Sequence, residues 1–345
     1  MRMGIVGFGR AATFHLDALR LVQAVHIVAA CDPERGEQAR AAAAGLEAYG
    51  SLDAMLDAAQ LDAVTICTPP ADHAAMAIAC LRRGLHVLCE KPLALTTWDA
   101  LKMLQAANRA QRHLVVASKF RHVPEVELAR RMLLSGELGD PVTFEVHFCS
   151  PVDMSARWNS QPARAGGGVI IDNGCHAFDI ISFLFGSITR VLATPLRPLQ
   201  QLPVEDSATL QVWAGDNVVG RVDVSWSLPP ARDSYVFVHG SLGSVEIGWR
   251  ESRAKINGQP WQTIGGGYDK VEAHRRMHAG FAEAVRTQAA PWISGVECLQ
   301  AVAAVDAAYR SMRSGASEWV AIHGLRELAL VSRSTVPASE YEATL

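Results

Sequence analysis

The chain has 345 residues, of which 49% are hydrophobic and 19% charged, and this composition excludes disorder for most of its length. A chain of this length predicts about two domains. Lysine and arginine number 32 against 35 aspartates and glutamates, which leaves a net charge of −3. That charge argues against nucleic acid as the main partner, because contacts to phosphates need an excess of cations.

The cysteines and the apolar segments indicate the compartment. Seven cysteines form no Cys-x-x-Cys pair, which predicts buried thiols in a reducing compartment and no metal site of the zinc type. No segment approaches ~18 apolar residues free of charge, and the N-terminal apolar stretch is too short for a secretory signal. We therefore expect a cytoplasmic protein without a membrane span or a membrane partner.

The first 120 residues alternate between short apolar segments and helical segments. The predicted strands are 2–7, 26–31, a short one near Tyr49, 63–67, 86–89 and 114–117. The predicted helices are 11–22, 36–46, 52–59, 71–83 and 97–111. Short apolar strands separated by helices are typical of a parallel sheet covered on both faces, so we expect an α/β, doubly wound Rossmann-type domain.

The turn after the first strand has the pattern G-x-G-x-x-A. Its residues are Gly7, Phe8, Gly9, Arg10, Ala11 and Ala12. The first glycine permits a tight turn, the second lets the backbone approach a pyrophosphate, and the small Ala12 allows close packing of helix on strand. The pattern predicts a dinucleotide site, and a turn that only packs is the alternative.

Asp32 lies 20 residues beyond Ala12, at the end of the second predicted strand. A carboxylate there accepts hydrogen bonds from the ribose hydroxyls and repels a 2′-phosphate, so NAD is favoured over NADP. Arg35 follows closely in the sequence and works against this preference.

Two further segments end strands at the edge where ligands bind in open α/β sheets. Thr68, Pro69 and Pro70 form a rigid wall, and His73 follows in the first turn of the next helix; a surface or capping histidine is the alternative. Glu90-Lys91-Pro92 ends the strand at 86–89. An ammonium group there would bind a substrate hydroxyl and favour its alkoxide character, and an exposed turn is the alternative.

The second half of the chain has a different hydrophobic periodicity. A helix is predicted at 125–134, and alternation begins at Val142. The strand candidates are 142–149, 188–194, 207–213, 218–227, 235–239 and 244–249. Alternation of this kind predicts a largely antiparallel sheet with unequal faces, covered on one face by 165–186 and by helices at 274–288 and 296–313. The other face would form subunit contacts, which suggests a homodimer or homotetramer.

A second chemical signal lies in the covering segment, after Gly166-Gly167-Gly168. If 172–185 is helical, one stripe carries Asp172, His176, Asp179 and Phe183. A carboxylate one turn from a histidine orients the ring and raises its basicity, as a general base requires. An ordinary solvent-facing polar stripe is the alternative, against which the triple glycine indicates a close approach of the backbone.

These motifs, in this order, resemble the Gfo/Idh/MocA oxidoreductases over about residues 1–320. The segments that carry the resemblance are Gly7-Phe8-Gly9-Arg10, Thr68-Pro69-Pro70 with His73, Glu90-Lys91-Pro92-Leu93, Ser135-Gly136-Glu137-Leu138-Gly139, and Gly166-Gly167-Gly168 with Asp172-x-Gly174-x-His176. The resemblance implies a Rossmann domain at 1–120 and an α+β substrate and oligomerisation domain at 121–322, which contains a large, mainly antiparallel open sheet. Residues 323–345 extend past the usual end of the family, with no assigned role.

The resemblance also implies the chemistry: NAD(P)-dependent hydride transfer at a secondary hydroxyl of a sugar, inositol or other polyol, or sugar derivative. By position, Lys91, Asp172 and His176 are the catalytic set. His176 takes the hydroxyl proton, Asp172 holds it in place, and Lys91 polarises the oxygen. Glu90 and Lys91 would lie against the nicotinamide, and Arg121 on the substrate side.

One departure and one alternative remain. Many members have Trp-Arg before the triple glycine, where this chain has Trp158-Asn159 and an arginine only at Arg164. The same fold also serves a non-catalytic NAD-binding regulator, which needs none of the catalytic residues. Because all three are present, the sequence favours the enzyme.

Overall fold

The computed structural model describes residues 1–293 and 295–322, which form two compact units. The first unit contains Met1–Ala117 and His278–Leu299, and the second contains Ser118–Met277 and Gln300–Ala321. The predicted extension at 323–345 lies outside the described residues.

The first unit is built on a six-stranded parallel sheet. Its strands are β1 (Arg2–Val6), β2 (His26–Cys31), β3 (Glu47–Tyr49), β4 (Ala63–Ile66), β5 (His86–Cys89) and β6 (Leu114–Val116). Their order in the sheet is β3-β2-β1-β4-β5-β6, which is that of a dinucleotide-binding Rossmann fold. Every residue of β4 and β5 is buried, as a sheet covered on both faces requires. The predicted doubly wound parallel sheet is confirmed.

The helices between these strands begin where the chain supplies suitable first residues. They are α1 (Arg10–Leu19), α2 (Arg35–Ala43), α3 (Leu52–Ala58), α4 (Pro70–Arg82) and α5 (Thr97–Ala110). The hydroxyls of Ser51 and Thr96 cap α3 and α5 by accepting backbone N–H groups. Pro70 opens α4, where its missing N–H is not needed.

The second unit contains a nine-stranded sheet in the order β14-β13-β12-β11-β7-β10-β9-β8-β15. The strands are β7 (Pro141–Cys149), β8 (Ile188–Pro195), β9 (Ser207–Ala214), β10 (Val218–Ser225), β11 (Ser234–Gly240), β12 (Gly243–Gly248), β13 (Ser252–Ile256), β14 (Gln262–Gly265) and β15 (Glu318–Trp319). All neighbours are antiparallel except β7 and β10, which run parallel. The predicted mainly antiparallel sheet is confirmed, whereas sequence reasoning missed β13, β14 and β15.

One face of this sheet belongs to the core of the second unit. Phe144, Val146 and Phe148 of β7 are buried, and Glu145 and His147 lie on the other face. The further helices are α6 (Pro124–Leu134), α7 (Pro162–Ala165), α8 (Cys175–Phe185), α9 (Lys270–Thr287) and α10 (Gly295–Ser314). The ring of Phe185 at the end of α8 stacks on Phe144 with centroids 4.8 Å apart, so α8 packs on the inner face.

The segment before α8 departs from the predicted helix at 172–185. Residues Ile170–Gly174 form a π-helical turn, and α8 follows directly. Such turns are rare and occur often at functional sites. The wider stretch Pro162–Phe185 is apolar enough to cross a membrane by composition, with a mean hydropathy of 1.3, but 67% of its most apolar window is buried inside the protein, as in a core helix.

Candidate functional site

The glycine-rich turn of the first unit has the geometry that its sequence predicts. Gly7 has a φ of +82°, and a Cβ there would lie 2.7 Å from Cγ2 of Thr68. A Cβ on Gly9 would meet nothing within 4 Å, so the chain at this position faces open space directly before α1. The turn therefore presents a helix N-terminus that a pyrophosphate can approach closely.

Asp32 lies half-buried just beyond the end of β2. Its Oδ2 accepts a hydrogen bond from the backbone N–H of Phe8 at 2.7 Å, and its Oδ1 accepts one from that of Glu34 at 2.9 Å. The carboxylate thus connects β2 to the glycine-rich turn. These residues fit a dinucleotide. Its pyrophosphate requires an open helix N-terminus, and its ribose requires an acidic group at the end of the next strand.

His73 is completely buried. Its Nδ1 lies 2.9 Å from the carbonyl oxygen of Pro92, and its Nε2 lies 2.9 Å from that of Thr68. Burial lowers the pKa of His73, and a neutral ring donates only one of these two hydrogen bonds. The alternative of a surface histidine is wrong: the ring joins the two segments that end β4 and β5.

Glu90, next to Lys91, contacts the first of two buried histidines that lie side by side. Oε1 of Glu90 lies 2.8 Å from Nε2 of His15, and Nδ1 of His15 lies 2.8 Å from Nε2 of His278 in α9. Oε2 of Glu90 accepts the backbone N–H of Lys91 at 3.0 Å, and the Lys91–Pro92 peptide is cis. Sequence reasoning missed His15 and His278, since a lone histidine in a helix carries no signal of its partner.

In the second unit, the π-helical turn carries Asp172 and the first turn of α8 carries His176, and both side chains are half-buried. Oδ2 of Asp172 accepts a hydrogen bond from the indole Nε1 of Trp226 at 3.2 Å. A carboxylate held by a neighbouring indole is restricted in orientation, which suits a group that positions a base.

Aromatic side chains pack against one side of His176. Its ring meets Phe120 edge-on with centroids 5.0 Å apart, and Phe148 at 6.0 Å. The rings that pack with these two form one aromatic group, whose members are Phe120, Phe148, Tyr235, Trp249 and Tyr268. Rings packed in this way make a rigid, apolar wall beside the imidazole.

Arg121 is almost completely buried and forms an ion pair with Asp179. Its Nε and Nη2 both lie 2.9 Å from Oδ1 of Asp179, and the guanidinium lies 5.1 Å from the ring centroid of Phe183. Asp179 and Phe183 belong to the stripe predicted on one helix face, so the solvent-facing alternative is wrong for this part of it. The substrate contact of Arg121 stays a prediction.

The triple glycine is explained by two residues from distant segments. A Cβ on Gly167 would overlap the hydroxyl of Tyr309, and a Cβ on Gly168 would overlap the backbone oxygen of Glu205. The hydroxyl of Tyr309 also donates a hydrogen bond of 2.8 Å to Oε1 of Glu205. The predicted close approach is therefore confirmed, but sequence reasoning missed Glu205 and Tyr309, for which the glycines were the only signal.

The comparison with protein families follows this division of the chain. Residues 1–118 match the family model described as "Oxidoreductase family, NAD-binding Rossmann fold", and residues 126–246 match the model of the GFO/IDH/MocA C-terminal domain. The chain belongs to the Gfo/Idh/MocA oxidoreductase family. The predicted family and the predicted NAD-binding oxidoreductase are thereby confirmed, and family membership favours the enzyme over the regulator.

Individual relatives of the family are similar over most of their length. D-apiose dehydrogenase of Paraburkholderia graminis is 31% identical over 338 residues, which cover 90% of this chain and 87% of the relative. Inositol 2-dehydrogenase 1 of Saccharopolyspora erythraea is 30% identical, with 92% of this chain and 89% of the relative covered. The solved structure of levoglucosan dehydrogenase with NADH and L-sorbose superposes with a TM-score of 0.86 at 20% identity, over 93% of this chain and 99% of that one. That likeness shows the fold.

Proposed function

We propose that this protein is an NAD-dependent dehydrogenase that transfers hydride between the nicotinamide and a secondary hydroxyl of a sugar, inositol or other polyol, or sugar derivative. The observation that carries the proposal is the arrangement of the second unit: a half-buried histidine stands one turn after a carboxylate that Trp226 orients. The two curated relatives act on apiose and inositol by their names, which supports the substrate class.

The proposed chemistry divides among three side chains. Bound NAD supplies the acceptor for the hydride. His176 accepts the proton of the substrate hydroxyl at an imidazole nitrogen, and Asp172 orients the ring and stabilises its protonated form. The ammonium of Lys91 hydrogen-bonds the same oxygen and favours its alkoxide character. Together with Arg121, these residues are the proposed substrate-binding set.

The proposed cofactor site lies along the carboxyl edge of the parallel sheet. Its residues are Gly7, Phe8, Gly9, Arg10, Ala11, Ala12, Asp32, Thr68, Pro69, Pro70, His73, Glu90 and Lys91. The pyrophosphate would lie at the N-terminus of α1, directly after Gly9. The contacts of His73 and Glu90 to the segments after β4 and β5 support the rest of this edge.

A panel of sugars and inositols tests the function. We expect at least one of them to reduce bound NAD, seen as absorbance of the reduced nicotinamide in a single turnover. If NAD binds but no sugar or polyol reduces it, while a protein partner responds to the bound cofactor, the regulator is supported and the enzyme is contradicted.

A cofactor preference follows from Asp32. Because a 2′-phosphate would be placed beside this carboxylate, like-charge repulsion of several kcal/mol predicts that NAD binds more than about tenfold more tightly than NADP. Asp32→Ala should remove most of the difference, whereas Asp17→Ala, which removes an exposed carboxylate of α1, should leave it unchanged. The measurement is the fluorescence titration of each variant with both cofactors, and equal affinity of the wild type for NAD and NADP contradicts the role of Asp32.

We also infer a homodimer or homotetramer in the cytoplasm, with no nucleic-acid or membrane partner. All seven cysteines lie within the described residues and are thiols outside any disulfide, six of them buried and Cys149 half-buried, which supports a reducing compartment. The outer face of the nine-stranded sheet carries the half-buried rings of Trp213 and Trp261, with Arg190 lying over the first at 4.0 Å. Such a face is suited to contact with a second copy of the chain.

A further inference from the structure

The carboxylate of Glu205 lies at the N-terminus of the helical segment that carries Asp172 and His176. Its Oε1 accepts the N–H of Ile170 at 3.0 Å, and both of its oxygens lie 3.2 Å from the N–H of Gly168. The backbone oxygen of Glu205 accepts the N–H of Val169 at 2.9 Å. Three successive N–H groups at a helix start, where no intrahelical acceptor exists, are thus satisfied by one residue.

Tyr309 in α10 fixes that carboxylate. Its hydroxyl donates to Oε1 of Glu205 at 2.8 Å and accepts the N–H of Gly168 at 3.1 Å. Burial raises the pKa of Glu205, and burial together with the adjacent carboxylate raises that of Tyr309. The clamp is joined directly to the π-helical turn: the N–H of Asp172, within that turn, donates to the carbonyl of Gly168 at 3.1 Å.

The neighbouring residue, Asp206, is linked to Asp172 through Trp226. Its backbone oxygen accepts the N–H of Trp226 at 2.8 Å, and its Oδ2 accepts the hydroxyl of Ser227 at 2.8 Å. The indole of Trp226 in turn donates to the carboxylate of Asp172. The dipeptide at 205–206 therefore fixes both the backbone turn of Asp172 and the side chain that orients its carboxylate.

We propose that Glu205 and Tyr309 are positioning residues for the transfer of the substrate proton to His176, because they fix the segment that carries Asp172 and His176. This inference rests on the proposed function. A general base acts only within hydrogen-bond reach of the proton it removes, and a displacement of about 1 Å can lower a rate by 10²-fold. Since the clamp sets where the π-helical turn starts, its loss shifts Asp172 and, one turn later, His176.

The test compares Tyr309→Phe, Glu205→Gln and Glu205→Ala with a matched control. Ser311→Ala is the control, because Ser311 lies in the same helix as Tyr309, α10. Its buried hydroxyl accepts the N–H of Ala193 and donates to the carbonyl of Ala316, and it does not bond to the glycines. We expect kcat for the best sugar or polyol to fall ~10-fold in Tyr309→Phe and up to ~100-fold in Glu205→Ala, with KM and the NAD dissociation constant nearly unchanged. Glu205→Gln keeps one acceptor oxygen, so it should restore part of the loss seen in Glu205→Ala.

A stability role alone predicts a different result. In that case all four variants would have a lower melting temperature but the kcat of the wild type. This result would overturn the inference. Hydrogen exchange of the peptide at 166–176 gives a readout that needs no substrate: it should be faster in Tyr309→Phe and Glu205→Gln than in Ser311→Ala, and unchanged exchange also overturns the inference. If Glu205→Ala does not fold, Tyr309→Phe decides the question. A wild type that oxidises no sugar or polyol instead contradicts the proposed function itself.

Discussion

Replacing His176 with alanine should lower kcat for the oxidation of the sugar or polyol by ~100-fold or more, with little change in NAD affinity. The imidazole is half-buried against Phe120 and follows Asp172 by one turn, and in the proposed mechanism it takes the hydroxyl proton. The proposed NAD site belongs to the parallel sheet of the first unit, and the substitution leaves that sheet intact. Initial rates of NADH formation and a cofactor titration measure the two quantities.

The control for this prediction is another histidine of the second unit. His239 lies in β11 on the outer face of the sheet, with its Nδ1 3.0 Å from the hydroxyl of Ser244. His239→Ala should retain the wild-type kcat. An unchanged rate in His176→Ala would exclude it as the general base, and a rate restored to His176→Ala by added imidazole would support the assignment.

Alanine at Gly7 and at Gly9 should affect NAD binding for different reasons. At Gly7 the φ of +82° costs an L-residue about 1–2 kcal/mol, and the new Cβ would press against the side chain and backbone of Thr68. Gly7→Ala should therefore lower both the melting temperature and the affinity for NAD. At Gly9 a Cβ meets nothing within 4 Å, so Gly9→Ala should fold with wild-type stability and still lose about tenfold or more in NAD affinity.

Thermal unfolding without cofactor and a titration with NAD separate the two effects. Gly266→Ala serves as the control, because Gly266 is exposed and a Cβ there also meets nothing within 4 Å. It should change neither quantity. Wild-type NAD affinity in Gly9→Ala would mean that the pyrophosphate does not approach the backbone at this turn.

Local patterns predicted the elements that depend on neighbouring residues. The alternation of apolar strands and helices predicted the parallel sheet, because strands buried on both faces need continuous apolar runs. The spacing of Gly7 and Gly9 predicted the turn, since Gly7 has a positive φ, which favours glycine, and Gly9 lies beside open space directly before α1. The strands β13 and β14, at one end of the nine-stranded sheet, escaped prediction because they have no strong pattern of their own. Pairing makes them strands: β13 pairs with β12, and β14 pairs with β13.

The fold class, the family and the short motifs of both units could thus be predicted from the order of the residues. The distant groups that support those motifs could not: His278 meets His15 across 263 residues of chain, and Tyr309 meets Glu205 across 104. Nor could the sequence predict that Asp172 lies in a π-helical turn whose first backbone N–H group is held by Glu205. The physical reason is that periodicity reports which face of an element is apolar, whereas a hydrogen bond between buried polar groups depends on where two separately folded segments come to lie.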